Sequence, residues 1–168
     1  MRLMTMRQGS KVYPRPAGWT AVIVALGTLL LVGMSWAVTS ASEAPIVDPI
    51  QAHEAAVRGE MTIVDIRRPS EWQATGVPRG AARITMHSAR GMLGFLDEIA
   101  RLTGGDKSMP IALICAAGVR SRYAAEYLRA LGYTNVVDIG EGVLGSAHDV
   151  GWLQRRLPMK PCPHCASR

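Results

Sequence analysis

Aromatic residues are scarce in this chain of 168 residues, at 5%, so its core is expected to be mostly aliphatic. The sequence has no glycine-rich phosphate loop and no dinucleotide fingerprint, which argues against the common nucleotide-dependent enzymes. It also has no internal repeat and no long low-complexity tract. Its length suits one domain of ordinary size and is too short for two. Acidic residues are absent from the start of the chain, where Arg2, Arg7, Lys11 and Arg15 stand alone. From residue 42 onward 15 Lys+Arg face 13 Asp+Glu, a net of only +2 out of the total of +6. The basic excess is therefore largely an N-terminal flank. The other basic residues are scattered without interleaved aromatics, so a nucleic-acid partner is not expected.

Charge of either sign is missing between Trp19 and Val38, which read WTAVIVALGTLLLVGMSWAV. A helix of that length rises about 30 Å, roughly the thickness of a bilayer hydrocarbon core. Trp19 and Trp36 stand near its two ends, where interfacial aromatics belong. The segment is longer than the usual apolar region of a signal peptide, which favours a retained membrane anchor. Cleavage near Ala41, after Thr39 and Ser40, is the alternative. Both readings keep residues 1–18 cytoplasmic as a basic N-terminus and put the rest on the extracytoplasmic side, the periplasm in a bacterium. Residues 39–45 form a short linker, 46–157 the domain and 158–168 a C-terminal tail.

Within the domain, Asp48-Pro49 is a helix start, with Asp48 as N-cap and proline at the first helical position. Strands are expected at 61–66, 82–85, 111–115 and 135–139, and helices at about 49–58, 69–75, 88–102, 121–131 and 152–156. Strands alternate with helices, and IALIC (111–115) is apolar throughout. The fold class is α/β: an open parallel sheet of about five strands flanked by helices, with one further hydrophobic helix at the N-terminus. Ligands of such sheets bind at the carboxyl edge of the strands, where Asp65 and Cys115 both fall.

Cys115 opens the segment CAAGVRS (115–121) between a strand and a helix. Loop N–H groups and the positive end of the following helix are placed to surround its sulfur. Arg120 and Arg122 add positive charge. Each effect stabilises negative charge on sulfur, and the thiolate is the nucleophilic form. Gly118 permits a tight loop with positive φ, and Ala116 and Ala117 leave room above the sulfur.

The segment CAAGVRS resembles the active-site loop of single-domain rhodanese-like proteins, in which a cysteine opens a six-residue loop before a helix. DIRRPSEW, with Asp65, Arg67, Glu71 and Trp72, is similar to the D-x-R-x-x-x-E-aromatic pattern of that family. GVPRGA, with Gly76, Pro78, Gly80 and Ala81, resembles the segment that follows it, with Arg79 as an extra residue. The pattern around 132–139 agrees, and the likeness covers roughly residues 46–157. The resemblance implies a rhodanese-like fold and a sulfurtransferase. Cys115 would take sulfane sulfur from an anionic donor such as thiosulfate as a persulfide. It would then pass the sulfur to cyanide, a small thiol or a protein cysteine. Residues 116–121 (Ala116, Ala117, Gly118, Val119, Arg120 and Ser121) would form the persulfide cradle, with Arg120 helping to bind the donor. Asp65, Arg67 and Arg122 would support the loop. No cofactor and no metal are implied. A docking or sulfur-carrier module for a membrane or periplasmic partner is the non-enzymatic alternative. Cysteine phosphatases, with C-x5-R, fit less well, because the sixth position after Cys115 is Ser121.

The tail PMKPCPHCASR holds Cys162 and Cys165, a possible redox pair. A reducible disulfide, a thiol relay taking sulfur from Cys115, and an inert tail oxidised on export are all open readings, the first favoured by an oxidising compartment. A thiol–disulfide function built on this pair is the third functional alternative. His53 and His87 are expected at surface positions of helix and loop, and His148 near the sheet edge. Residues 141–146, after the last strand, are expected to line the same mouth as the cysteine loop.

Overall fold

The computed structural model describes residues 43–165. The basic flank, the apolar run of 19–38, most of the linker and the last three residues lie outside that range, as do the anchor and cleavage expectations that fall on them. Among the described residues no helix is long and apolar enough to cross a membrane.

The first helix, α1 (Pro49–Val57), begins as its sequence dictates. Asp48 Oδ1 accepts the Ile50 N–H at 2.8 Å, and Pro49 occupies the first turn, where no N–H is required. There follow β1 (Thr62–Asp65), α2 (Pro69–Thr75), β2 (Val77–Pro78), β3 (Ala82–Arg83), α3 (Gly91–Thr103), β4 (Ile111–Ile114), α4 (Val119–Ala130), β5 (Val136–Asp138), α5 (Gly151–Gln154) and β6 (Met159–Lys160).

Four strands form a parallel sheet in the order β3-β1-β4-β5. Of the about five strands expected in the sheet, four are seen among the described residues, with a single parallel bridge from Ile46 to Asp138 beside β5. The register pairs Asp65 with Ile114 and with Arg83, so the carboxyl ends of β3, β1 and β4 are level. All four residues of β4 are fully buried, because helices cover both faces of the sheet. On one face Val64, Ile66, Leu113 and Cys115 pack with Phe95 and Ile99 of α3 and Leu128 of α4. On the other, Ile63, Ala112 and Ile114 meet Ala52 of α1, Ile139, Val143 and Trp152 of α5. The core is mainly aliphatic, with Phe95 and Trp152 among its largest members.

Three expectations need correction. β2 pairs antiparallel with β6, so the tail folds back onto the domain; strands of two residues are too short to leave a periodic signal. His53 is not on the surface. It is half-buried with its ring edge-on to Trp152 at 5.7 Å, and Nδ1 has no hydrogen-bond partner. The helix expected from 88 starts at Gly91, after a turn in which the Gly91 N–H donates to the Ser88 carbonyl and Ser88 Oγ donates to the Gly91 carbonyl.

Candidate active site

β4 delivers Cys115 to the carboxyl edge, and the chain turns into α4 within a few residues. Gly118 makes that turn possible. It caps α4 with φ 82°, a conformation that costs other residues about 1–2 kcal/mol. Space demands glycine as well, since a Cβ at Gly118 would collide with the Gly140 carbonyl oxygen. Gly142 meets the Ala116 carbonyl in the same way. Val143 N–H donates to Cys115 O and Leu144 N–H to Ala116 O, both at 2.8 Å. The segment after β5 therefore clamps the cysteine loop by main-chain contact alone. This is a closer association than a shared mouth, and glycines make it possible.

The first N–H groups of α4 have no acceptor within the helix and are available to an anion held by the loop. Cys115 itself is free and only 1% exposed. Ser121, fully buried, has its hydroxyl oxygen 3.4 Å from Cys115 Sγ and 3.1 Å from the Gly118 carbonyl, and its one proton serves either. Of the remaining loop residues, Ala116 is half-buried while Ala117 and Val119 are exposed.

Arg120 is engaged by Glu71. The guanidinium donates to both carboxylate oxygens, at 2.7 and 2.8 Å. This bidentate pair holds the Glu71 carboxyl at about 2, well below its usual 4.5, against the opposing effect of partial burial. Arg120 is raised in turn, by Glu71 first and by Cys115 to a smaller degree. Its charge is thus anchored beside the cysteine by α2. Glu71 also accepts the Arg68 N–H at 2.9 Å, closing a capping box at the start of α2. His87 Nε2 stands 3.5 Å from Arg120, exposed, and burial together with Arg68 and Arg120 pushes its pKa down. Arg122 points its charge elsewhere, with Nε 3.9 Å from Asp138 Oδ2. His148 is exposed on the loop after β5.

Asp65 and Arg67 form a fully buried ion pair, 2.6 Å at its shortest. Arg67 also donates to Thr75 Oγ1 and the Gly76 carbonyl, both at 2.8 Å. The pair ties the end of β1 to the end of α2 and so fixes the helix that carries Glu71. Nothing in the sequence marks out Asp138. It is fully buried, and neither carboxylate oxygen has a hydrogen-bond partner. Burial raises its pKa, partly offset by Ser121 and Arg122. Acid on a three-residue strand gives no such warning. Cys162 and Cys165 are joined in a disulfide. Arg83 on β3 contacts both sulfurs, and β1 lies between β3 and the strand that carries Cys115.

A family model described as a rhodanese-like domain matches residues 48–145. Thiosulfate sulfurtransferase GlpE of Glaesserella parasuis is 31% identical over 114 residues, covering 68% of this chain and 91% of that protein. An uncharacterized protein of Rickettsia prowazekii is 30% identical over 98 residues, 57% of this chain and 80% of its own. Among solved structures, a protein from M. tuberculosis is 27% identical with a TM-score of 0.54, covering 72% of this chain and 100% of that one. The polysulfide-sulfur transferase homodimer of Wolinella succinogenes, 22% identical over 72% of this chain and 81% of its own, shares the fold with a TM-score of 0.52. The matched span contains the buried Asp65–Arg67 pair, the Glu71–Arg120 bridge and the whole cysteine loop, and on these grounds the chain belongs to the family of rhodanese-like domains.

Proposed function

We propose that this protein is a sulfurtransferase that carries sulfane sulfur on Cys115. One observation carries the reading: a free cysteine at the carboxyl end of a buried strand, in a tight loop that runs into a helix N-terminus, with the Ser121 hydroxyl and the Glu71-anchored Arg120 beside it. The sulfurtransferase name of the Glaesserella relative supports it.

The reaction has two displacements. Cys115 Sγ, as thiolate, attacks the outer sulfur of thiosulfate. The S–S bond of the donor breaks and sulfite leaves with the electron pair. The new persulfide carries its charge on the outer sulfur, where the loop and first-turn N–H groups stabilise it. A thiophile such as cyanide, a thiol or a protein cysteine then attacks that outer sulfur, and Cys115 thiolate leaves. Arg120 stands beside the sulfur with its charge shared with Glu71, so the loop and first-turn N–H groups carry the main stabilisation of donor and persulfide. Ser121 orients the sulfur, and Asp65 and Arg67 hold the scaffold without touching it. Hydrophobic run 19–38 and its basic flank support an extracytoplasmic site for this chemistry.

Thiocyanate formation from thiosulfate and cyanide is the test. Wild type should produce it and Cys115→Ser should not. Equal rates in the two proteins, or none in wild type with any sulfane donor, would reject the proposal.

A further inference from the structure

The Cys162–Cys165 pair plays no part in the transfer just described, yet the fold holds it firmly. β6 brings the tail back along β2, and the Lys160 carbonyl passes so near Gly76 that a Cβ there would stand 2.7 Å from it. Gln73 of α2 donates from Nε2 to the Pro163 carbonyl at 2.9 Å. The disulfide itself spans three positions, with Cα atoms 5.4 Å apart. Arg83 Nη1 lies 2.9 Å from Cys162 Sγ and 2.8 Å from Cys165 Sγ.

We propose that Cys162 and Cys165 form a second reactive centre, a thiol–disulfide exchange site for dithiols, in which Arg83 stabilises the reduced state. A disulfide sulfur is a weak, neutral acceptor, so a guanidinium gains little from it. The same guanidinium beside a thiolate makes a charge-assisted hydrogen bond. Arg83 thus favours the reduced pair over the oxidised one, and no ion pair with a described carboxylate engages it. Access is provided as well. Both half-buried cysteines line an open cavity of about 560 Å³ whose walls include Trp72, Arg83 and Glu98. Trp72 is buried there, and its indole N–H is without a hydrogen-bond partner. Glu98 is the opposing charge in this cavity, but the direct contact to both sulfurs is that of Arg83.

In the exchange, a thiolate of the donor dithiol attacks one sulfur of the pair. The Cys162–Cys165 bond breaks, and the second cysteine leaves as a thiolate held by Arg83. The donor's other thiolate then attacks its own sulfur in the mixed disulfide and releases the first cysteine. The donor ends as a disulfide, two electrons pass to the pair, and the donor's two protons go to solvent or to the new thiolates. Arg83 lies on β3 and Cys115 follows β4, with β1 between these strands, and the exchange uses no group of the Cys115 loop, so the proposal stands independently of sulfur transfer.

The full chain carrying Cys115→Ser leaves only this pair to titrate. It is equilibrated in mixtures of reduced and oxidised glutathione or dithiothreitol and scored by thiol alkylation and mass. The pair should be measurably reduced by glutathione mixtures that leave the structural disulfides of secreted proteins intact. Arg83→Ala, and Arg83→Gln of nearer length, should move the equilibrium roughly tenfold toward the disulfide, about 30 mV for a two-electron couple. Arg83→Lys, which keeps the charge, should stay nearer wild type. A pair that stays oxidised in every glutathione mixture and yields only to dithiothreitol would mark a structural staple and overturn the proposal. So would a midpoint unchanged in both neutral variants.

Discussion

Gly118→Ala is expected to be among the most damaging single-methyl additions in the domain. Two effects add at this position. Residue 118 has φ 82°, and forcing an L side chain into that region costs about 1–2 kcal/mol. The new methyl would also strike the backbone oxygen of Gly140, which cannot rotate away as a side chain would. Overpacking of that kind costs about 1–3 kcal/mol, giving roughly 2–5 kcal/mol in all. A domain of this kind has only about 5–15 kcal/mol of stability in total. Gly59→Ala is the control, because Gly59 shares a positive φ of 73° but has open space around its missing Cβ. It should show the conformational cost alone, about 1–2 kcal/mol. Urea unfolding followed by tryptophan fluorescence reads both, since Trp152 is fully buried and Trp72 nearly so. Equal losses in the two variants would refute the close approach of the cysteine loop to the segment after β5.

Three further outcomes follow from the charged groups. Arg67→Met strands the buried Asp65 carboxylate and should cost about 3–5 kcal/mol, whereas replacing Asp65 by Leu at the same time should recover much of it; a double-mutant cycle by urea unfolding measures both. Glu71 has its pKa depressed to about 2 from 4.5. Its contribution is therefore complete above about 4.5 and lost as pH falls through about 2, so the stability gap between wild type and Glu71→Gln should close across that window and stay constant above it. Asp138 is shifted the other way: its favourable share is present below 3.8 and vanishes as pH rises through its raised pKa. Asp138→Asn should then be neutral or stabilising at pH 7 by thermal unfolding, and a clear loss there would contradict a carboxylate buried without a hydrogen bond.

Much of this site is legible in the sequence because it is local. The apolar run at 111–114 reads as a buried strand, Gly118 as a turn, and the residues after it as a helix, so Cys115 is placed at the carboxyl edge without any long-range information. Asp65 and Arg67 stand two apart and are equally local. What escapes is set by register and docking. Glu71 and Arg120 are 49 positions apart, and only the adjacency of α2 to the cysteine loop brings them together. Glu71 is visible as part of a motif that gives it no role; an acid there and an arginine in the loop are the available signal. Arg83 and the disulfide are 79 and 82 positions apart, joined by a pairing of two-residue strands that no periodicity announces. The contacts of Gly140 and Gly142 belong to the same class, since a glycine's sequence does not say which backbone it lets approach.

The persulfide proposed for Cys115 can be tested directly by intact-protein mass spectrometry. The protein is reduced, incubated with thiosulfate, freed of small molecules, and weighed before and after treatment with cyanide. The mass should rise by one sulfur atom, the added atom should map to the peptide containing Cys115, and cyanide should remove it. Cys162→Ser/Cys165→Ser should gain the same sulfur. No added sulfur on the wild-type protein, or an added sulfur that persists in Cys115→Ser, would contradict the assignment of Cys115 as the sulfur carrier.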